Sequence, residues 1–402
     1  MIISEINQTT ANGLVTIQAT ISWENFDRKP FQFFVQTPAE NEDALWTDAN
    51  SLLIGSILTA WHYKEKRVRI DGTVCPMLAS NLEGVFMMMK SWYPDDFDET
   101  PVIEPTGGFK SMLPPKSGTV SLMSGGIDSL CLLRANHLFY PKGHTSRISA
   151  VVPIEMTKEA ASDRQHFDLA FEGRMTSIGP VAEEAEVRVM PARTNLWFLN
   201  PDGYFYGQKS YASQLSSILS FFSKGFDHGL IASSYDAAYS SKPWGSNPQL
   251  DAYFTSAHFR MENSGTEMTR LRKVEIVADW PIGYKSIRVC QNDNTGGSNC
   301  GTCEKCIRTK LMLESLGKLR DCQSFPENYI DTDLLGYLET YKMLPSTDAM
   351  HNEEKIYQYG LTIPYLKRRG RMDLVEALEA ILDKLRPNEN AAIKETEHDM
   401  SF

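Results

Sequence analysis

The sequence predicts an α/β protein built on a parallel sheet, and three observations carry that reading. From residue 118 onward, short apolar runs alternate with helical patterns, as strands covered on both faces by crossover helices do. One of these runs passes through two glycines straight into a helix, the arrangement of a ligand-binding turn in an open sheet. Upstream the text changes, with period-two alternation that belongs to half-buried strands. We therefore read a small amino-terminal α+β domain at 1–95 and a linker at 96–117. The parallel-sheet domain follows at 118–318, then a helical extension at 319–386 and a polar, disordered tail at 387–402.

Element by element, 14–23 and 31–36 have the period and residue types of strands. Helical patterns follow at 44–63 and 77–92, separated by a strand candidate at 67–70. Pro101, Pro105, Gly107, Gly108, Pro114 and Pro115 mark the linker. Beyond it, 119–123, 148–154, 186–190, 230–232 and 274–277 are the strand candidates, and 130–139 is helical. The last helix, 372–386, places Leu374, Ala377, Leu378, Ile381 and Leu385 on one face.

At 402 residues the chain exceeds one ordinary domain, and 42% hydrophobic against 23% charged residues suffices for full cores. A net charge of -11 offers no field that would gather a polyanion, which argues against a nucleic-acid partner. The first residues lack a basic region leading into an apolar run, and no apolar stretch reaches membrane-spanning length, so neither secretion nor membrane insertion is expected. The cysteine count of seven is odd, and four fall between Cys290 and Cys306. That clustering suits a metal site in a reducing cytoplasm better than a disulfide framework.

Two motifs carry chemistry. The run 119–123 leads into Ser124-Gly125-Gly126-Ile127-Asp128-Ser129 and then into a helix, which gathers backbone N–H groups and the positive helix end at one point. The glycines let a phosphate approach the backbone, Ser124 and Ser129 add hydroxyl donors, and Asp128 can hold Mg²⁺ or orient the loop. The bland alternative is a glycine turn in which Asp128 or Ser129 caps the helix. The pattern is neither a Walker loop nor Gly-x-Gly-x-x-Gly. The second motif is Cys290, Cys300, Cys303 and Cys306, whose spacing suits tetrahedral Zn²⁺. Four protein ligands close such a site to substrate, so its expected role is structural, with an iron–sulfur cluster as the competing metal reading. Cys75, Cys131 and Cys322 stand apart and read as buried small apolar residues.

The Ser-Gly-Gly-x-Asp-Ser pattern resembles the loop of PP-loop ATP pyrophosphatases, which cleave ATP to AMP and pyrophosphate and leave a substrate adenylated. With the cysteine cluster downstream, the stretch 118–318 resembles 7-cyano-7-deazaguanine synthases. That resemblance implies a PP-loop α/β domain, with ATP and Mg²⁺ at residues 124–129 and Zn²⁺ on the four cysteines. It implies adenylation of 7-carboxy-7-deazaguanine, then attack by ammonia and dehydration to the nitrile. Lys273 looks like the family's lysine that neutralises phosphate or the adenylate; its plain alternative is a solvated surface lysine. Ser234, Asp236, Trp244 and Asp251 follow a strand where these enzymes carry a substrate loop, and are candidates for holding a purine-like base, with Asp236 a candidate base for amine attack.

Two departures stand out. Gly207-Gln208-Lys209-Ser210 resembles the family's Gly-Arg-Asn turn without its arginine, which puts contacts there in doubt. The amino domain and the helical extension also exceed a minimal synthase. Some divergent members of the family belong to bacterial antiphage defence systems and attach the deazaguanine to a protein amino terminus, so the extra domains point to a protein acceptor or partner subunit. Two other readings remain at this stage. A sulfur-transferring enzyme on transfer RNA would need a reactive cysteine outside the zinc set and a basic surface, for which Lys367-Arg368-Arg369-Gly370-Arg371 is the one dense basic run. A non-catalytic zinc-binding scaffold would have no need of the complete phosphate loop.

Overall fold

An Asn-Gly pair opens the fold. Asn12 and Gly13 both have positive φ, 51° and 77°, the conformation a two-residue hairpin turn requires, and they join β1 (Ile2–Ala11) to β2 (Leu14–Ser22). β3 (Phe31–Pro38) adds antiparallel to β2. On the other side β4 (Arg67–Ile70) pairs parallel with β1, and β5 (Val102–Pro105) with β4. The structure, a computed structural model, describes residues 1–111, 117–240, 242–290, 297–340 and 349–386. The expected tail at 387–402 lies outside them.

Two later strands complete this sheet. β10 (Ala192–Thr194) pairs antiparallel with β3, and β8 (Ile154–Met156) parallel with β10, giving the order β5-β4-β1-β2-β3-β10-β8. The amino-terminal strands therefore do not close a domain of their own, and the stretch read as linker supplies a strand. The reason is the outer edge of β3, whose unpaired backbone groups need a partner.

The second sheet is wholly parallel, in the order β12-β11-β6-β7-β9. It comprises β6 (Thr119–Leu122), β7 (Ile148–Val152), β9 (Arg188–Val189), β11 (His228–Ala232) and β12 (Arg260–Ser264). Pro153 alone separates β7 from β8, and Met190 and Pro191 separate β9 from β10. Proline cannot donate to a ladder, so the chain changes sheets where it stands.

Helices α1 (Ala49–His62) and α2 (Pro76–Trp92) belong to the first part of the chain, and α3 (Ile127–Phe139) and α4 (Arg164–Ala185) to the crossovers after β6 and β8. The pattern expected to begin at 44 starts later, because Asp48 caps α1 by accepting from Asn50 N at 3.1 Å. α5 (Gly203–Phe205) runs through a π-helical turn, Tyr206–Ser210, into α6 (Tyr211–Ser220), and α7 (Pro248–Ala252) precedes β12. α1 is buried along nearly its whole length and meets α6 through small residues. Ser217 Oγ and Ser213 Oγ donate to the carbonyls of Ser51 and Ile54, each at 2.6 Å. One continuous core, with Phe33, Trp61, Val120, Ala150, Phe221 and Phe254, joins the elements of both sheets.

Met1–Thr269 forms one compact unit and Arg270–Phe402 another. The second is helical: α8 (Arg270–Ala278), α9 (Pro281–Lys285), α10 (Glu304–Ser315), α11 (Thr332–Thr340), α12 (Ala349–Gly360), α13 (Ile363–Arg368) and α14 (Met372–Leu385). The strand expected at 274–277 is part of α8. Leu271, Val274, Val277 and Ala278 are buried together at helical spacing, a periodicity that the apolar run Val274-Glu275-Ile276-Val277 conceals. Among the described residues no helix is long and apolar enough to cross a membrane.

Candidate functional site

In the parallel sheet the chain moves outward from β6 to β7 and β9 on one side, then returns to place β11 and β12 on the other. The order thus reverses between β6 and β11, and in open sheets of this kind ligands bind beyond the carboxyl ends of strands at such a point. The turn 123–126 leaves the carboxyl end of β6, and the loop from Ser233 leaves that of β11.

The first turn is built by its own side chains. Gly125 has φ +76°, a conformation that favours glycine, and Gly126 leads into α3 with Asp128 in its first turn. Ser124 Oγ lies 3.2 Å from Ser129 Oγ and accepts from Gly126 N at 3.2 Å. Ser129 Oγ donates to the Gly126 carbonyl at 3.1 Å and accepts from Ser124 N at 3.3 Å. Ser129 is buried, Asp128 is half-buried and Ser124 is exposed. Glycines, exposed hydroxyl and helix start make a turn that can accept an anion.

Of the other expected residues in this unit, Asp236 is buried, and its Oδ1 accepts from Ala238 N at 3.1 Å, which shapes the loop. Ser233 N and Ala237 N donate to the carbonyls of Ser264 and Thr266, tying that loop to β12 and the segment after it. Ser234 is half-buried between them. Trp244 meets Tyr235 edge-on with ring centroids 6.0 Å apart. Next to it, Gly245 N donates to the Gly207 carbonyl and Ala212 N to that of Gly245, so the loop lies on the π-helical turn. A Cβ at Gly245 would stand 2.5 Å from the Gly207 carbonyl oxygen, a space only glycine leaves. The turn that lacks the family-like arginine also directs Lys209 elsewhere: its Nζ donates to Asp96 at 2.6 Å and faces the Tyr93 and Tyr204 rings.

Asp251 is fully buried at the start of β12's approach. Its Oδ2 accepts from Ser246 Oγ and Asn263 Nδ2, each at 2.8 Å, and its Oδ1 from Asn247 N at 3.0 Å. Burial pushes its pKa up to about 7 against those three donors, and the carboxylate ties the 246–247 turn to β12. Tyr211, at the start of α6, was not among the expected residues. Burial pushes its hydroxyl up to about 12, with the Asp128 and Asp251 carboxylates adding to the effect. It therefore stands in the field of both acids. Its signal in the sequence was weak: a tyrosine directly after the Gly207–Ser210 turn, with nothing to mark its orientation.

The second unit holds the cysteine set and Lys273. Lys273 lies on α8 and is only 2% exposed, which removes the solvated-surface alternative. The thiol sulfurs of Cys290, Cys300, Cys303 and Cys306 all lie within 4.8 Å of one another. Asn299 fastens the approach: its Oδ1 accepts from Val289 N and Cys290 N, and its Nδ2 donates to the Ile287 and Ser324 carbonyls. Gly301, with φ +80°, turns the chain so that Cys303 precedes α10 and Cys306 lies in its first turn. Burial opposes ionisation of Cys300, yet the N–H groups of Thr302 and Cys303 draw its pKa below the ordinary thiol value. The Cys303 side chain and burial push Cys306 the other way. Four thiolates this close need a cation among them, and this donor set fits a tetrahedral metal ion such as zinc.

No family model, curated protein or solved structure matches the chain. What remains is what the residues can do. The two motifs fall in different units, with the turn at 124–129 in Met1–Thr269 and the cysteines in Arg270–Phe402. Cys131 is buried against Met268, Cys75 accepts from Ala257 N, and Cys322 is buried, so none of the three is an exposed thiol.

Proposed function

We propose that the protein cleaves ATP to AMP and pyrophosphate in order to adenylate a carboxylate, and that the carboxylate belongs to a deazapurine acid such as 7-carboxy-7-deazaguanine. The observation that carries the reaction class is the Ser124-to-Ser129 turn, at the carboxyl end of β6 where the strand order reverses, with its hydroxyls and glycines arranged around a helix start. The substrate rests on the resemblance of that turn and the cysteine cluster to 7-cyano-7-deazaguanine synthases.

A substrate carboxylate oxygen attacks the α-phosphorus, the bond to the bridging oxygen breaks, and pyrophosphate leaves with the electron pair. The N–H groups of the turn, with the Ser124 and Ser129 hydroxyls, take up the charge that develops on the leaving group. Asp128 is the residue that would hold Mg²⁺, which would supply further positive charge there. In a second step an amine attacks the activated carbonyl carbon and AMP departs; in this reading Asp236, on the loop after β11, receives the amine proton. Asp251 acts indirectly, by holding the turn next to Trp244. The buried state of Cys131 disfavours sulfur transfer, which needs an accessible thiol.

The test is mass spectrometry of the protein incubated with ATP, Mg²⁺ and 7-carboxy-7-deazaguanine, with and without ammonia or candidate acceptor proteins. AMP with amide or nitrile would establish the small-molecule synthase; AMP with a mass shift on an acceptor would establish conjugation. Absence of AMP under every condition, from folded and zinc-loaded protein, would refute the proposal.

A further inference from the structure

We propose that Lys310 is the buried counter-charge of the four-cysteine metal centre, so that the metal and the lysine stabilise one another. The inference rests on the cysteines holding a divalent metal and is independent of the adenylation reading.

Cys306 and Lys310 both lie on α10, four residues apart and hence on the same face. Lys310 is 0% exposed, and its Nζ has no hydrogen-bond partner among the described residues. The Tyr329 ring lies 5.5 Å from that nitrogen. A buried ammonium with no hydrogen bond is among the costliest groups a protein can retain, and a ring face offsets only part of the cost.

The missing compensation lies at the cysteine centre. Four thiolates around a divalent ion carry a net charge of about -2, and such a centre in a protein interior needs positive charge nearby as much as Lys310 needs negative. Burial depresses the Lys310 pKa, whereas Glu327, Cys306, Asp331 and Cys300 all favour its charged form. Glu327 and Asp331 attract the ammonium without bonding to it. A metal ion is what gathers the four thiolates, and with them a lasting negative charge, at the cluster whose Cys306 shares a face of α10 with Lys310.

The experiment compares full-length wild type, Lys310→Met and Lys310→Arg, each zinc-loaded and zinc-stripped, by chelator competition and by thermal unfolding. Lys310→Met is expected to give up zinc at a chelator concentration tenfold or more lower than wild type, while Lys310→Arg stays within about threefold. Zinc should raise the unfolding midpoint of Lys310→Met by less than it raises that of wild type, and stripped Lys310→Met should melt no lower than stripped wild type. Equal zinc affinity in wild type and Lys310→Met overturns the proposal, and a wild type that takes up no zinc removes its premise. Should Lys310→Met fail to fold, amine labelling of the wild type decides: Lys310 should label at least tenfold faster after zinc is stripped, with exposed Lys142 of the other unit as control. Unchanged protection of Lys310 would overturn the proposal.

Discussion

Ser129 and Asp128 are neighbours with separate tasks, one shaping the turn and the other offering charge. Ser129→Ala removes the hydroxyl that bridges Ser124 and Gly126, and is expected to slow AMP release about tenfold; Asp128→Asn should slow it about a hundredfold. Pyrophosphate release by both variants at the wild-type rate would remove the turn from the mechanism. Asp251 makes a different prediction, one of stability. Its folded pKa of about 7 lies above its ordinary value of 3.8, so between those values the folded protein binds more protons than the unfolded chain. Stability should therefore fall as pH rises through this window, by an amount on the order of a few kcal/mol, and Asp251→Asn should flatten that slope. Urea unfolding at pH 5 and pH 8 measures it, and an equal slope in both proteins would mean the carboxylate is ionised throughout.

At the scale of elements, the α1–α6 contact decides the sign of one substitution. Alanine normally improves on glycine inside a helix, but a Cβ at Gly55 would stand 2.6 Å from Ser217 Oγ and 3.0 Å from the Leu196 side chain. Gly55→Ala is expected to destabilise by about 1–3 kcal/mol, visible in the urea midpoint, and a gain would show that the helices can part without cost. The elements read most plainly from the sequence were those whose local signals agree. β2, β4, α2 and α14 follow their patterns to within a residue or two, and α3 begins three residues before its expected start, inside the glycine turn. α8 was misread because Val274-Glu275-Ile276-Val277 looks β-branched and alternating when taken alone. β5 and β12 are too short and polar to announce themselves, and each exists because a neighbouring edge pairs with it. The turn at 124–129 and the cysteine spacing were legible because they are local. The ties of Asp251 to Ser246 and Asn263, and the place of Tyr211, depend on chain crossings that no window of sequence contains.

For the whole molecule, the division between Thr269 and Arg270 makes a metal ion on the four cysteines a local matter. Stripping zinc, or Cys303→Ser, should unfold or loosen Arg270–Phe402 first, lowering its melting midpoint by on the order of 10 °C or more. Limited proteolysis of the stripped protein should cut within that unit and spare Met1–Thr269; cleavage spread equally over both would contradict the division. The larger unit carries its own constraint, in the strands that change sheets at Pro153 and Pro191. As the chain leaves the ribosome, β3 emerges with a bare edge, and the strand that covers it, β10, follows only after the 124–129 turn, β7 and the whole of α4. At ordinary rates of synthesis that wait is roughly ten seconds or more. Through that interval the nascent chain presents an open β-edge to every neighbour, so the mixed sheet, and not the parallel sheet that carries the candidate site, is the part of the protein most in need of protection while it is being made.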